Sequence, residues 1–166
     1  MNEVSLTVNL SGPEPRNATT VYHLAQGFYL AANRALLNIE VAPGVRQCLV
    51  TPGVVNLCLA IELFLKAVIL HDGQIAPKTH DLAKLVSLVP SQFAAAVESE
   101  YNRLIPDPNF DRIILEASDY FVKVRYGHEF AVPVFHESPL AALGKIFYSA
   151  TASLVGERTG LQALRP

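Results

Sequence analysis

Residues 61–70 of the chain read IELFLKAVIL, and residues 79–85 read THDLAKL. The first stretch is apolar except for two opposite charges four residues apart, Glu62 and Lys66. Residues four apart are neighbours on one side of a helix, so the spacing predicts an ion pair within an apolar helix. A helix that is apolar on nearly every side must be covered on most of them. The stretch therefore predicts the central helix of a bundle.

Five further segments show helical periodicity and are separated by short breaks rich in proline and glycine. The six predicted helices span residues 19–40, 54–71, 79–89, 91–104, 109–125 and 138–160. Thr19 or Thr20 is the expected N-cap of the first helix, and Thr79 of the third. Ser138 followed by Pro139 is a strong signal for the start of the sixth.

The segments between the helices predict little other regular structure. Residues 1–17 are predicted to be extended, with apolar residues alternating over the first ten positions before residues 11–16 break the pattern. Residues 130–135 are also predicted to be extended. These two segments have the composition for one minor β-strand pair. Residues 41–53, VAPGVRQCLVTPG, are predicted to be a loop. The fold class is therefore all-α, a bundle of five to six helices in a single domain over residues 1–166.

Composition limits the class of protein. Hydrophobic residues make up 51% of the chain and charged residues 17%, which predicts that some apolar surface meets a partner. The net charge of −2 excludes a chain that attracts nucleic acid over its whole surface. Two cysteines and no secretory signal predict a cytoplasmic protein with reduced thiols. The predicted helix 54–70 is too short to span a membrane and carries two charges, so no membrane partner is expected.

Three motifs follow one another: AIEL at residues 60–63 with Lys66, THDL at 79–82 with Leu85, and Arg125-Tyr126 at the end of the fifth helix. In their order and spacing these motifs resemble the HEPN family, the higher eukaryotes and prokaryotes nucleotide-binding domains. They span residues 54–126, somewhat under half of the chain. The resemblance implies an up-and-down helical bundle that forms a homodimer. It also implies a nucleotide or RNA ligand, with a nucleotidyltransferase partner or a toxin–antitoxin or defence system as context.

The charged and polar residues of these motifs have two interpretations. Glu62 and Lys66 are either a structural ion pair that sets helix register or part of a polar cleft between the second, third and fifth helices. In the cleft, His80, Asp81 and Tyr126 would be the other ligand-binding residues. No phosphate-binding glycine loop is present, and neither a cofactor nor a metal ion is expected. The leading prediction is a non-catalytic binding or regulatory module.

A metal-independent endoribonuclease is the alternative function. Many HEPN ribonucleases carry an Arg and a His separated by four to six residues. Here Arg125 and His128 are separated by only two, so the family's catalytic spacing is not met. An Arg can nevertheless stabilise developing phosphate charge and a His can transfer protons, which makes these two the candidate catalytic residues.

A metal-dependent phosphohydrolase of the HD class is a weaker alternative. The dipeptides His71-Asp72 and His80-Asp81 resemble the His-Asp pair of those enzymes, which are also helical. Such an enzyme needs a further His and Asp to complete the metal shell. His23 and Asp119 are the residues that the sequence offers.

Overall fold

The computed structural model describes residues 17–106, 108–125 and 137–155. In order, the described elements are α1 (Ala18–Leu36), β1 (Ile39–Ala42), β2 (Val45–Gln47), α2 (Val50–His71), α3 (Leu82–Val86), α4 (Ser91–Leu104), α5 (Phe110–Arg125) and α6 (Glu137–Val155). The two strands form one antiparallel sheet. The predicted all-α fold class, with six helices and one minor strand pair in the described part, is confirmed.

α2 is the centre of the bundle. It contacts α1, α3, α5 and α6, while α4 packs chiefly on α6. Ile61, Phe64 and Leu65 on α2 are completely buried, as the apolar pattern of residues 61–70 predicts. Burying side chains of this size contributes about 1.5–3 kcal/mol each before the entropy of folding is counted.

Two glycines let neighbouring helices approach α2 closely. A β-carbon at Gly53 would lie 2.6 Å from the side chain of Leu36 on α1. A β-carbon at Gly144 on α6 would meet the Leu57 side chain of α2. Both glycines are buried. They are therefore explained by packing within the chain.

α2 is longer than the predicted helix and, at 22 residues, is long and apolar enough by length and composition to cross a membrane. The prediction that it is too short is therefore wrong. Two-thirds of its most apolar window is buried against other helices, however, as expected for the core helix of a soluble protein. Its two charged residues are partnered within the bundle, as described below.

The predicted loop at residues 41–53 is wrong, because most of it has regular structure. β1 and β2 form a hairpin in which Ile39 is opposite Gln47. Gly44 makes the turn with a φ of 74°, and its N–H donates a hydrogen bond to Glu40 Oε1 at 2.9 Å.

The N-terminal end of α2 and the caps of two other helices also differ from the prediction. Pro52 lies in the first turn of α2, where a backbone N–H has no partner within the helix, so proline is tolerated there. The helix therefore begins before Pro52 and not after it. Asn17, and not Thr19 or Thr20, caps α1, which ends at Leu36. Asp81, and not Thr79, caps α3. The predicted strand pair of residues 1–17 and 130–135 falls outside the described residues, except for Asn17.

Candidate functional site

The predicted ion pair lies inside the bundle. Glu62 is only 3% exposed, and its Oε1 accepts a hydrogen bond from Lys66 Nζ at 2.6 Å. Lys66 follows one helical turn later, with its side chain 17% exposed. The apolar surroundings of α2 make both charges expensive to desolvate, so each depends on the other.

His80 joins the same carboxylate from a different part of the chain. Its Nδ1 lies 2.8 Å from Glu62 Oε2, so both oxygens of Glu62 have a partner. Because Glu62 pairs with the Lys66 ammonium, we assign the carboxylate as ionised and Nδ1 as the donor. The remaining ring nitrogen of His80, Nε2, receives no hydrogen bond from the described residues.

The face of the His80 ring is also held. It stacks on Phe121 of α5, with ring centroids 4.7 Å apart and an interplanar angle of 27°. The His80 side chain is nevertheless 58% exposed. His80 is therefore a solvent-facing imidazole fixed at one edge by Glu62 and on one face by Phe121.

The turn before α3 places His80. The Asp81 carboxylate accepts from Lys84 N at 3.0 Å and caps α3, while Asp81 N donates to Thr79 Oγ1 at 3.1 Å. Leu82 N donates to Ser118 Oγ on α5 at 2.9 Å. These bonds attach the start of α3 to α5 beside the His80 ring.

The structure brings together Glu62, Lys66 and His80, three of the predicted cleft residues. Asp81 does not join them, because its carboxylate is used in capping. Arg125 is the last residue of α5, with its side chain outside the described part, and Tyr126 and His128 are outside it as well.

Ser118 and the stacking role of Phe121 were missed by sequence reasoning. Phe121 has the spacing of a core residue of α5, and it is 7% exposed. No local pattern shows that these α5 side chains meet residues 79–82, about 40 positions earlier. The helical spacing of Ser118 and Phe121, three residues apart, shows only that they share one side of α5.

The other residues considered for chemistry are dispersed. Within the described ranges, no three His, Cys, Asp or Glu side chains come together as a metal-binding group. Cys58 is 1% exposed, and burial raises the pKa of its thiol to about 12. Cys48 is half-buried, with Sγ 3.3 Å from the carbonyl oxygen of Leu36.

A cavity of about 550 Å³ lies at the C-terminal end of α2, between α2, α4 and α6. Its lining is mostly apolar and includes Val68, Phe93 and Leu154, with His71 and Asp72 at its polar side. It reaches neither Glu62 nor His80. Size alone does not make it the functional site, because no buried polar group points into it.

The fold and the site define a small helical bundle with a buried carboxylate that holds a surface histidine. The HEPN domain family model matches residues 53–142, more than half of the chain, and the chain belongs to the HEPN family. Membership of this family indicates a function related to nucleotides or RNA. No curated protein and no solved structure matches the chain.

Proposed function

We propose that this chain is a non-catalytic HEPN binding and regulatory module of the cytoplasm, which acts as a homodimer and binds RNA or a nucleotide around His80. The arrangement of His80 carries the proposal. Its Nε2 and one ring face are directed away from Glu62 and Phe121, which hold the ring in place. A fixed imidazole is suited to hydrogen bonding with a phosphate or a base edge and to stacking under a base.

The charges near His80 favour a ligand that carries phosphate. Lys78 and Lys84 flank His80 in the chain, and both are exposed. Glu62 is buried and neutralised by Lys66, so its charge does not repel an anion at the surface. Asp81 is the nearest exposed carboxylate in the chain, and it accepts a backbone N–H.

The contacts of Glu62 and Lys66 favour binding over catalysis. Both oxygens of Glu62 are occupied, and Lys66 is mostly buried, so neither offers a second proton-transfer group to a ligand. General acid–base cleavage of RNA needs two such groups or a group that stabilises charge in the transition state. Of Glu62, Lys66 and His80, only the His80 side chain is mostly exposed to a ligand.

A direct binding measurement tests this proposal. Fluorescence polarisation with a labelled single-stranded RNA oligonucleotide, and separately with a labelled nucleotide, should show binding by the wild type that His80→Ala weakens at least about tenfold, or ~1.4 kcal/mol. His71→Ala is the matched control, because His71 lies nine residues after Glu62 on α2, about 13 Å along the helix. Equal affinities of the His80 and His71 variants would overturn the proposed site.

The endoribonuclease alternative is favoured by one observation. Arg125 follows Phe121 by one turn on α5, and Phe121 stacks on His80, so the end of α5 approaches the same surface. Incubation of the protein with single-stranded RNA in EDTA tests it. Cleavage that Arg125→Ala or His128→Ala abolishes would replace the non-catalytic proposal with a metal-independent ribonuclease. Intact RNA with retained binding supports the module.

The family context also leads us to propose a protein partner, a nucleotidyltransferase or the other member of a toxin–antitoxin pair. The test is co-expression with the product of each neighbouring gene, followed by purification through a tag on this chain. Stoichiometric recovery of a nucleotidyltransferase supports the proposal, and recovery of this chain alone from every pair contradicts it.

A further inference from the structure

The outer face of α1 carries exposed apolar residues, together with the polar side chains of Thr20, His23 and Asn33. Leu24 is 53% exposed and Leu30 is 47% exposed, and between them lies Gly27. The helix contains no Asp or Glu, and Arg34 is its one formal charge. An exposed helix face of a soluble protein is normally polar, so this face has the composition of a contact surface.

Gly27 is the second observation. It lies in the middle of α1, where glycine destabilises a helix relative to alanine. A β-carbon at this position would meet nothing within 4 Å, so no packing within the described residues requires a glycine. Gly53 and Gly144, in contrast, both face a neighbouring helix of the same chain. A glycine on an exposed face is explained if the backbone of another molecule approaches it closely.

The residues around Gly27 can pair with the same set of residues on a second copy of the chain. Leu24 and Leu30 are each three residues from Gly27 and lie about 60° to either side of it around the helix. In an antiparallel crossing of two copies centred on Gly27, Leu30 of one copy therefore meets Leu24 of the other, twice. Arg34 of each copy meets Thr20 of the other, so no like charges face each other.

The hairpin after α1 carries further exposed apolar side chains. Five apolar side chains about half exposed lie on the hairpin and at its two ends: Leu37, Ile39, Val41, Val45 and Leu49. Leu49 N donates to the Ala35 carbonyl at 2.8 Å, so the chain returns from the hairpin to the last turn of α1. The hairpin therefore lies next to the C-terminal end of α1.

An interface large enough for a stable dimer requires both α1 and the hairpin. A specific interface buries about 800 Å² on each partner. A helix of 19 residues is about 28 Å long and about 10 Å wide, so α1 alone presents roughly 280 Å² in projection. The hairpin is the adjoining apolar surface that brings the total towards this requirement.

We propose that the outer face of α1, centred on Gly27 and continued by the hairpin, is the surface through which two copies of this chain associate, with their α1 helices antiparallel. This inference rests on the homodimer of the proposed function and specifies its interface. It does not involve His80, so the two proposals can fail separately.

Sedimentation of the full chain at micromolar concentration tests the surface. The wild type should sediment as a dimer of about 36 kDa, twice the 18.1 kDa chain. Leu24→Lys and Leu30→Lys should each give the monomer, because a lysine would be buried opposite a leucine. Leu115→Lys is the matched control, since Leu115 on α5 is 59% exposed and lies away from α1, and it should stay dimeric.

Gly27→Leu separates association from folding. In the monomer its side chain enters open space and a glycine is removed from a helix, so the melting temperature of the monomeric variant should be no lower than that of monomeric Leu24→Lys. In the dimer it blocks the close approach, so the variant should be monomeric. Ala95→Leu, at an exposed position of α4, is the control and should remain dimeric.

Cysteine cross-linking tests the antiparallel orientation. A mixture of Leu24→Cys and Leu30→Cys proteins should form disulfide-linked dimers between the two variants under mild oxidation, while each variant alone should not. The wild type, with Cys48 and Cys58, is the control. Cross-linking of each variant with itself would overturn the antiparallel arrangement.

The outcomes distinguish this inference from the proposed function. If every variant remains dimeric, the α1 surface is wrong, and the binding role of His80 is unaffected. If the wild type is a monomer, the interface and the homodimer both fail. RNA binding that is lost in His80→Ala but retained in a monomeric Leu24→Lys protein would show that the binding site is complete within one copy.

Discussion

Glu62 shows how one buried residue links α2 to the turn before α3. Its carboxylate lies on α2, is paired with Lys66 on the same helix, and holds His80 from the turn before α3. In a bundle core a carboxylate is stable only when its charge and lone pairs are satisfied. The Glu62 carboxylate therefore fixes the position of His80, whose side chain is mostly exposed to solvent.

Removal of the carboxylate should destabilise the protein strongly. Glu62→Ala leaves the mostly buried Lys66 ammonium without a partner, and we expect the free energy of unfolding to fall by about 3 kcal/mol. Guanidinium denaturation followed by circular dichroism measures this. Asp119→Ala, which removes an exposed ion pair with Lys123 on α5, is the control and should cost only about 0.3–0.5 kcal/mol.

The double variant Glu62→Met with Lys66→Met separates charge from packing. Replacing a buried ion pair with apolar residues of similar volume is often neutral for stability, so the double variant should be clearly more stable than Glu62→Ala. Equal losses for Glu62→Ala and Asp119→Ala would mean that Lys66 reaches water without Glu62. The pair would then contribute little to the fold.

The two thiols should differ in reactivity. Burial raises the pKa of Cys58 to about 12, so at pH 8 its thiolate is more than about 1,000-fold scarcer than that of a free cysteine. In a Cys48→Ser variant, maleimide labelling should therefore require unfolding in guanidinium. Cys58→Ala, which keeps the half-buried Cys48, should label faster in the native state. Rapid native labelling of Cys58 would show that the α2 core opens readily.

At the scale of elements, the short helix α3 matters because the turn before it carries His80. α3 has five residues, too few to be stable alone, so its cap and its contact with α5 hold it in place. Asp81 caps it through Lys84 N, and Ser118 of α5 accepts from Leu82 N.

Loss of this cap should affect both stability and the site. Asp81→Ala should lower the free energy of unfolding by about 1 kcal/mol, whereas Asp81→Asn keeps an acceptor and should cost less. Denaturation measures the stability, and the polarisation titration with RNA measures the affinity. We expect weaker RNA binding by Asp81→Ala, because the turn that positions His80 loses order. Unchanged binding would mean that Glu62 and Phe121 suffice to hold the ring.

The helices follow from local sequence patterns, and the hairpin shows where such patterns mislead. α2, α4 and α5 were predicted to within a few residues because apolar periodicity and the breaks between them agree. The β-hairpin was missed because Pro43-Gly44 was taken as a break and not as a turn between Ile39, Val41 and Val45. Those β-branched residues were the available signal.

At the scale of the whole molecule, only part of the site was predictable. The Glu62–Lys66 pair follows from spacing within one helix, whereas the contact of Glu62 with His80 depends on how α3 packs against α2 and α5. The stacking of His80 on Phe121 depends on the same packing. Sequence spacing does not specify contacts between residues so far apart in the chain.

Stability at alkaline pH is a property of the whole core. Burial raises the pKa of Tyr22 to about 12, with a further contribution from Tyr148, and burial raises that of Cys58 to about 12. Both groups are neutral when protonated, and the folded protein retains these protons at pH values where the unfolded chain loses them. Stability should be complete below about pH 9 and decline as the pH rises towards 12.

Melting temperatures between pH 8 and pH 11 measure this decline. Cys58→Ala should flatten the curve from about pH 9 and Tyr22→Phe from about pH 10, because each removes one of the two titrations. A wild-type melting temperature that stays constant up to pH 11 would show that neither group is shielded from solvent in the folded state.

The central position of α2 also has a consequence during synthesis of the chain. The helix is complete about 84 residues before the end of α6, one of the helices that cover it, and at ~5–20 residues per second this takes ~4–17 s. During this time the nascent chain contains a 22-residue apolar segment that satisfies the length and hydropathy of a membrane span. We therefore expect chaperones that recognise apolar segments to bind nascent chains of this protein before α6 is made.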